Sequence, residues 1–191
     1  MSFIDTPADS EIYAADEARL GYVPNFVRLF GHRPDVYAAW RGLIGAITAH
    51  MDPRRYELAT FAAARALRSS YCALAHGKVL TERWLAPDEV MALAQDGGAQ
   101  APLDDVEVAV MAFAERVVRD AASVTRGDIE RLRTLGLGDD EILDVALAAA
   151  ARCFFSKTLD ALGTSPDAAY RSLLGPQLCD ALTVGRAVAE G

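Results

Sequence analysis

Cys72 and His76 stand four residues apart in the stretch "RSSYCALAH" (68–76), and His76 is one of only three histidines in 191 residues. On a helix that spacing puts both side chains on one face, a single turn apart. With Ser69 as N-cap, Cys72 falls in the first turn, where free backbone N–H groups and the positive end of the helix dipole favour a thiolate. An imidazole one turn along can take the thiol proton, directly or through water. A third group should hold that imidazole, and Glu57 is the candidate, an acid in the otherwise apolar run "ELATFAAAR". Glu57 and His76 are nearly equidistant from a tight turn near Leu67-Arg68, and residues equidistant from the turn of an antiparallel αα-hairpin face one another. The spacing therefore predicts a Glu57–His76–Cys72 proton relay, with Ser69 or Tyr71 orienting the thiolate. A plainer reading stands beside it. A lone Cys on an Ala-rich helix is commonly core, Glu57 can be an ordinary first-turn acid, and His76 can contact a carbonyl or a solvated rim.

The elements that must position these residues are helical. Alanine is abundant and β-branched runs are scarce. Residues 1–20 lack an apolar stripe and read as an acidic arm, and residues 21–191 read as one domain. "GYVPNFVRLFG" is a short turn-bounded element with Val23, Phe26, Val27 and Phe30 on one face, and Pro34 opens a helix to about residue 50. Asp52 and Pro53 then form the clearest helix start in the chain, N-cap followed by N1 proline. The motif hairpin spans residues 53–84. Pro87 and Asp88 open a further helix closed by Gly97-Gly98. A long amphipathic helix runs over about 103–121, and Thr125 caps one that stops at Gly136. The late helix, over 139–163, has acids in its first turn and Gly163 past its end. Two short helices opened by Pro166 and Pro176 complete an all-α fold without strands or repeats.

Composition narrows the function. Hydrophobic residues make up 52% and charged residues 24%, a globular balance. A net charge of −8 argues against a nucleic-acid or membrane-surface binder. Arg126, Arg131 and Arg133 are the densest basic group, on a helix face expected to be exposed. The N-terminus has neither a basic segment nor an apolar core of a signal peptide. The apolar run "ILDVALAAAARCFF" is too short to span a bilayer. The expected location is the cytoplasm. Cys72, Cys153 and Cys179 form no Cys-x-x-Cys pair and are too few for a secreted disulfide framework. One Cys and one His within reach leave a zinc site two ligands short, so no metal and no cofactor is expected. His32 and His50 read as caps or surface residues.

The spacing "E57-LATFAAARALR-S69-SY-C72-ALA-H76" resembles the signature of the AhpD-like alkylhydroperoxidase and carboxymuconolactone decarboxylase superfamily, Glu-x11-Cys-x2-Cys-x3-His. "GYVPNFVRLFGHRP" resembles the entry segment of its peroxidase-related members, and "DDEILDVALAAAARCFFSKTLDALG" their late helix. The resemblance spans roughly residues 20–165. It implies an AhpD-like helical bundle assembling as a trimer or hexamer, in which the second Cys of the pair is peroxidatic and His and Glu relay its proton. Cys72, His76 and Glu57 fall on those positions, and Ser69 replaces the first, resolving Cys. The implied activity is a one-Cys, thiol-dependent peroxidase acting on a small hydroperoxide, with an outside thiol, or else Cys153, as resolving group. The alternatives are a carboxymuconolactone decarboxylase-type lyase, against which the retained thiol counts, with no basic residue to hold a carboxylate evident near the motif, and a member that has lost catalysis. The Ala-rich faces at 59–66 and 146–151 are expected to allow close approach between subunits, with the Cys72 site near a boundary.

Overall fold

The computed structural model describes residues 2–96 and 101–190. Eleven α-helices and one short 3-10 turn carry the described residues, with no strand among them. After the helices α1 (Tyr13–Leu20), α2 (Asn25–Phe30) and α3 (Pro34–Thr48) comes the central hairpin of α4 (Pro53–Ala66) and α5 (Ser70–Arg83). The chain continues through α6 (Pro87–Asp96), α7 (Asp105–Asp120), α8 (Arg126–Thr134), α9 (Asp139–Ala161), α10 (Tyr170–Leu174) and α11 (Pro176–Leu182). The Gly97-Gly98 stop expected after α6 lies outside the described residues. No described helix is long and apolar enough to cross a membrane.

Local chemistry accounts for the helix ends. Asp52 caps α4, its Oδ1 accepting the Arg55 N–H at 2.8 Å with Pro53 at N1. Asp104 and Glu107 form a reciprocal capping box at the start of α7, as do Thr125 and Asp128 at α8. At α9 the Gly138 N–H donates to Glu141 at 2.9 Å. Gly163, just past α9, has φ +74°, and a Cβ there would lie 2.5 Å from the Phe3 ring, so only glycine fits under the N-terminal segment. Pro176 opens α11 as expected, but Pro166 opens no helix: residues 166–167 are irregular, 168–169 form a turn, and α10 starts at Tyr170.

The α4–α5 hairpin lies between two apolar cores. One is built from α2, α3, α7 and α9 around Val27, Phe30, Trp40, Val110, Phe113, Val145 and Phe155. The other, on α6 and α11, holds Leu58, Phe61, Leu74, Leu80, Val90, Leu93 and Leu182. Its turn is tight enough to force Arg68 to φ +56°, an uncommon setting for a residue with a side chain. Gly185 from the C-terminal segment packs on that turn, where a Cβ would stand 1.9 Å from the Arg68 carbonyl oxygen, and its N–H donates to Ser70 Oγ at 2.8 Å. Ala59, Ala63 and Ala64 are fully buried within the chain, as are Ala148 and Ala149. These small residues let helices of the same chain approach closely, while Leu147 and Ala150 in the second stretch stay exposed. The N-terminal residues lie against the body: Tyr13 is buried with its hydroxyl between the Pro7 and Arg28 carbonyls, each at 3.0 Å, and the Phe3 N–H donates to the Leu162 carbonyl at 2.7 Å.

Candidate active site

α5 begins at Ser70, so Ser69 is its N-cap residue and Cys72 its third helical position. Cys72 is 2% exposed and its thiol is free. Opposite it on the hairpin, the Glu57 carboxylate and His76 Nδ1 meet at 2.7 Å, with side chains only 14% and 11% exposed. Thr60, one turn above Glu57 on α4, brings its hydroxyl oxygen to 3.2 Å of the same Nδ1. That hydroxyl already donates to the Tyr56 carbonyl at 2.6 Å, so it can only accept from the ring. The Tyr56 ring meets His76 edge-on, with centroids 6.1 Å apart. Burial holds the Tyr56 phenol above its ordinary range, and the Arg152 charge opposes that rise.

The late helix supplies what the hairpin does not. Arg152 and Ser156, one turn apart on α9, both project onto the thiol: Ser156 Oγ donates to Cys72 Sγ at 3.1 Å, and Arg152 Nη1 lies 3.9 Å from the same sulfur. Arg152 Nη1 also donates to His76 Nε2 at 3.1 Å. A guanidinium has donors and no acceptor, so Nε2 must carry the lone pair and Nδ1 the hydrogen that Glu57 accepts. The ring is thus held in one tautomer from both sides. His76 does not bond the thiol directly; the guanidinium stands between them.

Two expected roles are corrected. Ser69 makes no hydrogen bond to Cys72: its hydroxyl is buried without a well-formed partner, towards Asp160, whose carboxyl burial pushes up. Tyr71 faces away as well. Successive helix residues are rotated by about 100°, so beside Cys72 it points into a different layer, where its hydroxyl donates to Asp167 and receives the Phe26 N–H at 3.4 Å. Asp167 also accepts the Asn25 N–H at 2.8 Å, so this cluster ties the start of α2 to α5. Burial pushes the Asp167 carboxyl and, more strongly, the Tyr71 phenol upward, which keeps the phenol a neutral donor. Cys153 is half-buried and follows Arg152 on α9, off the side that faces Cys72; Cys179 is buried in the second core, and burial pushes its thiol up. His32 binds the Asp5 carbonyl at 2.7 Å, and His50 is exposed.

Arg152 and Ser156 went unnoticed in the sequence, although one signal was present. Arg152 is the single basic residue in the apolar run "ILDVALAAAARCFF", whose other charge, Asp144, lies near its start; a charge among alanines is the same kind of anomaly that singled out Glu57.

The sequence matches the carboxymuconolactone decarboxylase family over residues 34–116, a span holding Glu57, Cys72 and His76 but not Arg152 or Ser156. No curated protein sequence gives a significant match. Several solved structures share the fold. A peroxidase-related protein from Ralstonia eutropha JMP134 with an alkylhydroperoxidase AhpD core superposes with a TM-score of 0.79 at 23% identity, covering 88% of this chain and 94% of that one. A peroxidase-related protein from Silicibacter sp. TM1040 gives a TM-score of 0.80 at 20% identity, covering 91% and 95%. The debrominase Bmp8 in complex with 2,3,4-tribromopyrrole gives 0.74 at 21% identity, covering 91% and 98%.

Proposed function

We propose that the chain, which matches the carboxymuconolactone decarboxylase family over residues 34–116 and shares its fold with a protein built on an AhpD core, is a thiol-dependent, peroxidase-like oxidoreductase in which Cys72 attacks a hydroperoxide. The observation that carries this reading is the surrounding of Cys72: a thiol in the first turn of α5, hydrogen-bonded by Ser156 and flanked by a His76–Glu57 pair. In the attack the Cys72 sulfur forms a bond to the distal peroxide oxygen and the O–O bond breaks. Sulfur is oxidised to sulfenic acid, and the alkoxide leaves as an alcohol after taking a proton. His76 Nε2, the unprotonated ring nitrogen, receives the thiol proton once the Arg152 N–H swings off it, directly or through one water, and returns it to the leaving oxygen. Glu57 holds the ring throughout. With Ser69 where a resolving thiol would stand, reduction falls to an outside thiol: one equivalent forms a mixed disulfide and releases water, and a second frees Cys72.

Consumption of hydroperoxide by the pure protein with several candidate thiols tests the reading. Turnover should require Cys72, and one equivalent of peroxide without thiol should leave a trappable sulfenic acid there. Failure of Cys72 to form that species sinks the proposal. A second reading, a lyase acting on a carboxylated ring, gains from Arg152, since a cation does stand beside His76. It predicts that Cys72→Ala keeps its activity, which the peroxidase reading forbids.

A further inference from the structure

Arg152 is 6% exposed, yet no carboxylate among the described residues pairs with it. Its guanidinium carbon lies 5.0 Å from the Trp40 ring centroid and 5.5 Å from that of Phe155. Those rings attract the charge but leave its N–H groups needing acceptors. Nη1 has His76. Nε is buried and has no partner. At two other arginines of this chain the Nε–Nη2 edge grips a carboxylate with two hydrogen bonds: Arg54 holds Glu107 at 2.5 and 3.2 Å, and Arg33 holds Asp35 at 3.0 and 2.8 Å. The thiol does not fill this need, since it sits by Nη1, and at 3.9 Å.

From that open fork we infer an oxyanion subsite beside the thiol, in which the Nε–Nη2 edge of Arg152 receives the carboxylate of the substrate that Cys72 attacks. The inference rests on the proposed thiol chemistry and narrows its substrate class to hydroperoxides that bear a carboxylate. The step keeps its balance: an S–O bond forms, the O–O bond breaks, and the product is the corresponding hydroxy acid, with the outside thiol as reductant. A planar fork suits a planar carboxylate, and the aromatic walls exclude water that would weaken the pair.

Alkylation probes the subsite without peroxide. Iodoacetate and iodoacetamide both react by S–C bond formation with loss of iodide, but only iodoacetate carries a carboxylate. The ratio of their rates at Cys72, read by peptide mass mapping, cancels changes in the thiol's own reactivity. Hydrogen bonds to a charged group predict a ratio roughly tenfold or more above that of free cysteine. Arg152→Met should abolish the excess and Arg152→Lys should retain part of it. The surface change Arg116→Met, an equal loss of charge, should leave it intact. In the unmodified protein, benzoate should protect Cys72 from iodoacetamide and benzamide should not, a comparison that needs no variant to fold. A wild-type ratio equal to that of free cysteine, an excess that survives Arg152→Met, or equal protection by the two benzene derivatives overturns the subsite. Peroxide inertness with the anion preference intact would instead overturn the peroxidase reading and leave the subsite standing.

Discussion

Replacing Glu57 separates the charge of the relay from its geometry. The Glu57 carboxylate accepts from His76 Nδ1 at 2.7 Å in a nearly closed site, where a hydrogen bond to a charged group contributes about 1.5–3 kcal/mol against about 1 kcal/mol for a neutral one. In Glu57→Gln the amide oxygen must take the carboxylate's place. The reverse arrangement, with the amide donating to Nδ1, would put a hydrogen on Nε2 facing the Arg152 N–H. Geometry survives and charge is lost, for a difference of about 1 kcal/mol, or roughly fivefold in the rate of Cys72 oxidation if all of it is expressed in proton transfer. Glu57→Ala loses the whole bond, leaving Thr60 Oγ1 at 3.2 Å as the only acceptor, and should slow oxidation about 10–100-fold. Stopped-flow oxidation by stoichiometric peroxide measures both, followed by Trp fluorescence, since Trp40 covers the Arg152 guanidinium. Thermal melts of each variant separate folding from chemistry. If Glu57→Ala oxidises as fast as the wild-type protein while folding normally, the relay is not part of the reaction.

Ser69→Cys should restore an internal partner: peroxide should then give a 69–72 disulfide by mass spectrometry and permit turnover with a dithiol, whereas a stoichiometric Cys72–Cys153 bridge in the wild-type protein would contradict the proposed external resolution. Burial raises the Asp167 carboxyl above its unfolded value of about 3.9, so the folded chain binds that proton more tightly. Its contribution to stability is therefore full at low pH and lost as pH rises from the unfolded value through the folded one. Asp167→Asn removes this dependence, so urea midpoints of wild type and variant should diverge across that acid window and run parallel above it; parallel midpoints throughout contradict the assignment. The exposed residues Leu43 on α3 and Leu143, Leu147 and Phe154 on α9 make an apolar face that we propose is covered in a homo-oligomer. Light scattering should show a trimer or larger assembly that Leu147→Asp dissociates, and a wild-type monomer at micromolar concentration refutes it.

Much of the scaffold was legible because it is set by interactions within a few residues. The caps at Asp52 and Thr125, the stop at Gly136 and the glycine at 163 depend on one side chain or one φ angle each. The Glu57–His76 contact follows the same logic at one remove: a tight turn leaves two helices a single register, so sequence distance from the turn determines which side chains face each other. Arg152 and Ser156 could not be placed this way. They lie eighty and eighty-four residues from Cys72, and the helix carrying them is apolar on opposite sides, with Val145, Ala149 and Leu159 buried and Leu143, Leu147 and Phe154 exposed. Its periodicity names no inward face. Which side of α9 meets α5 is decided by how α2, α3 and α7 close around it, and with that choice the thiol acquires a hydroxyl donor and a guanidinium beside the imidazole that the helix spacing alone placed within reach of it.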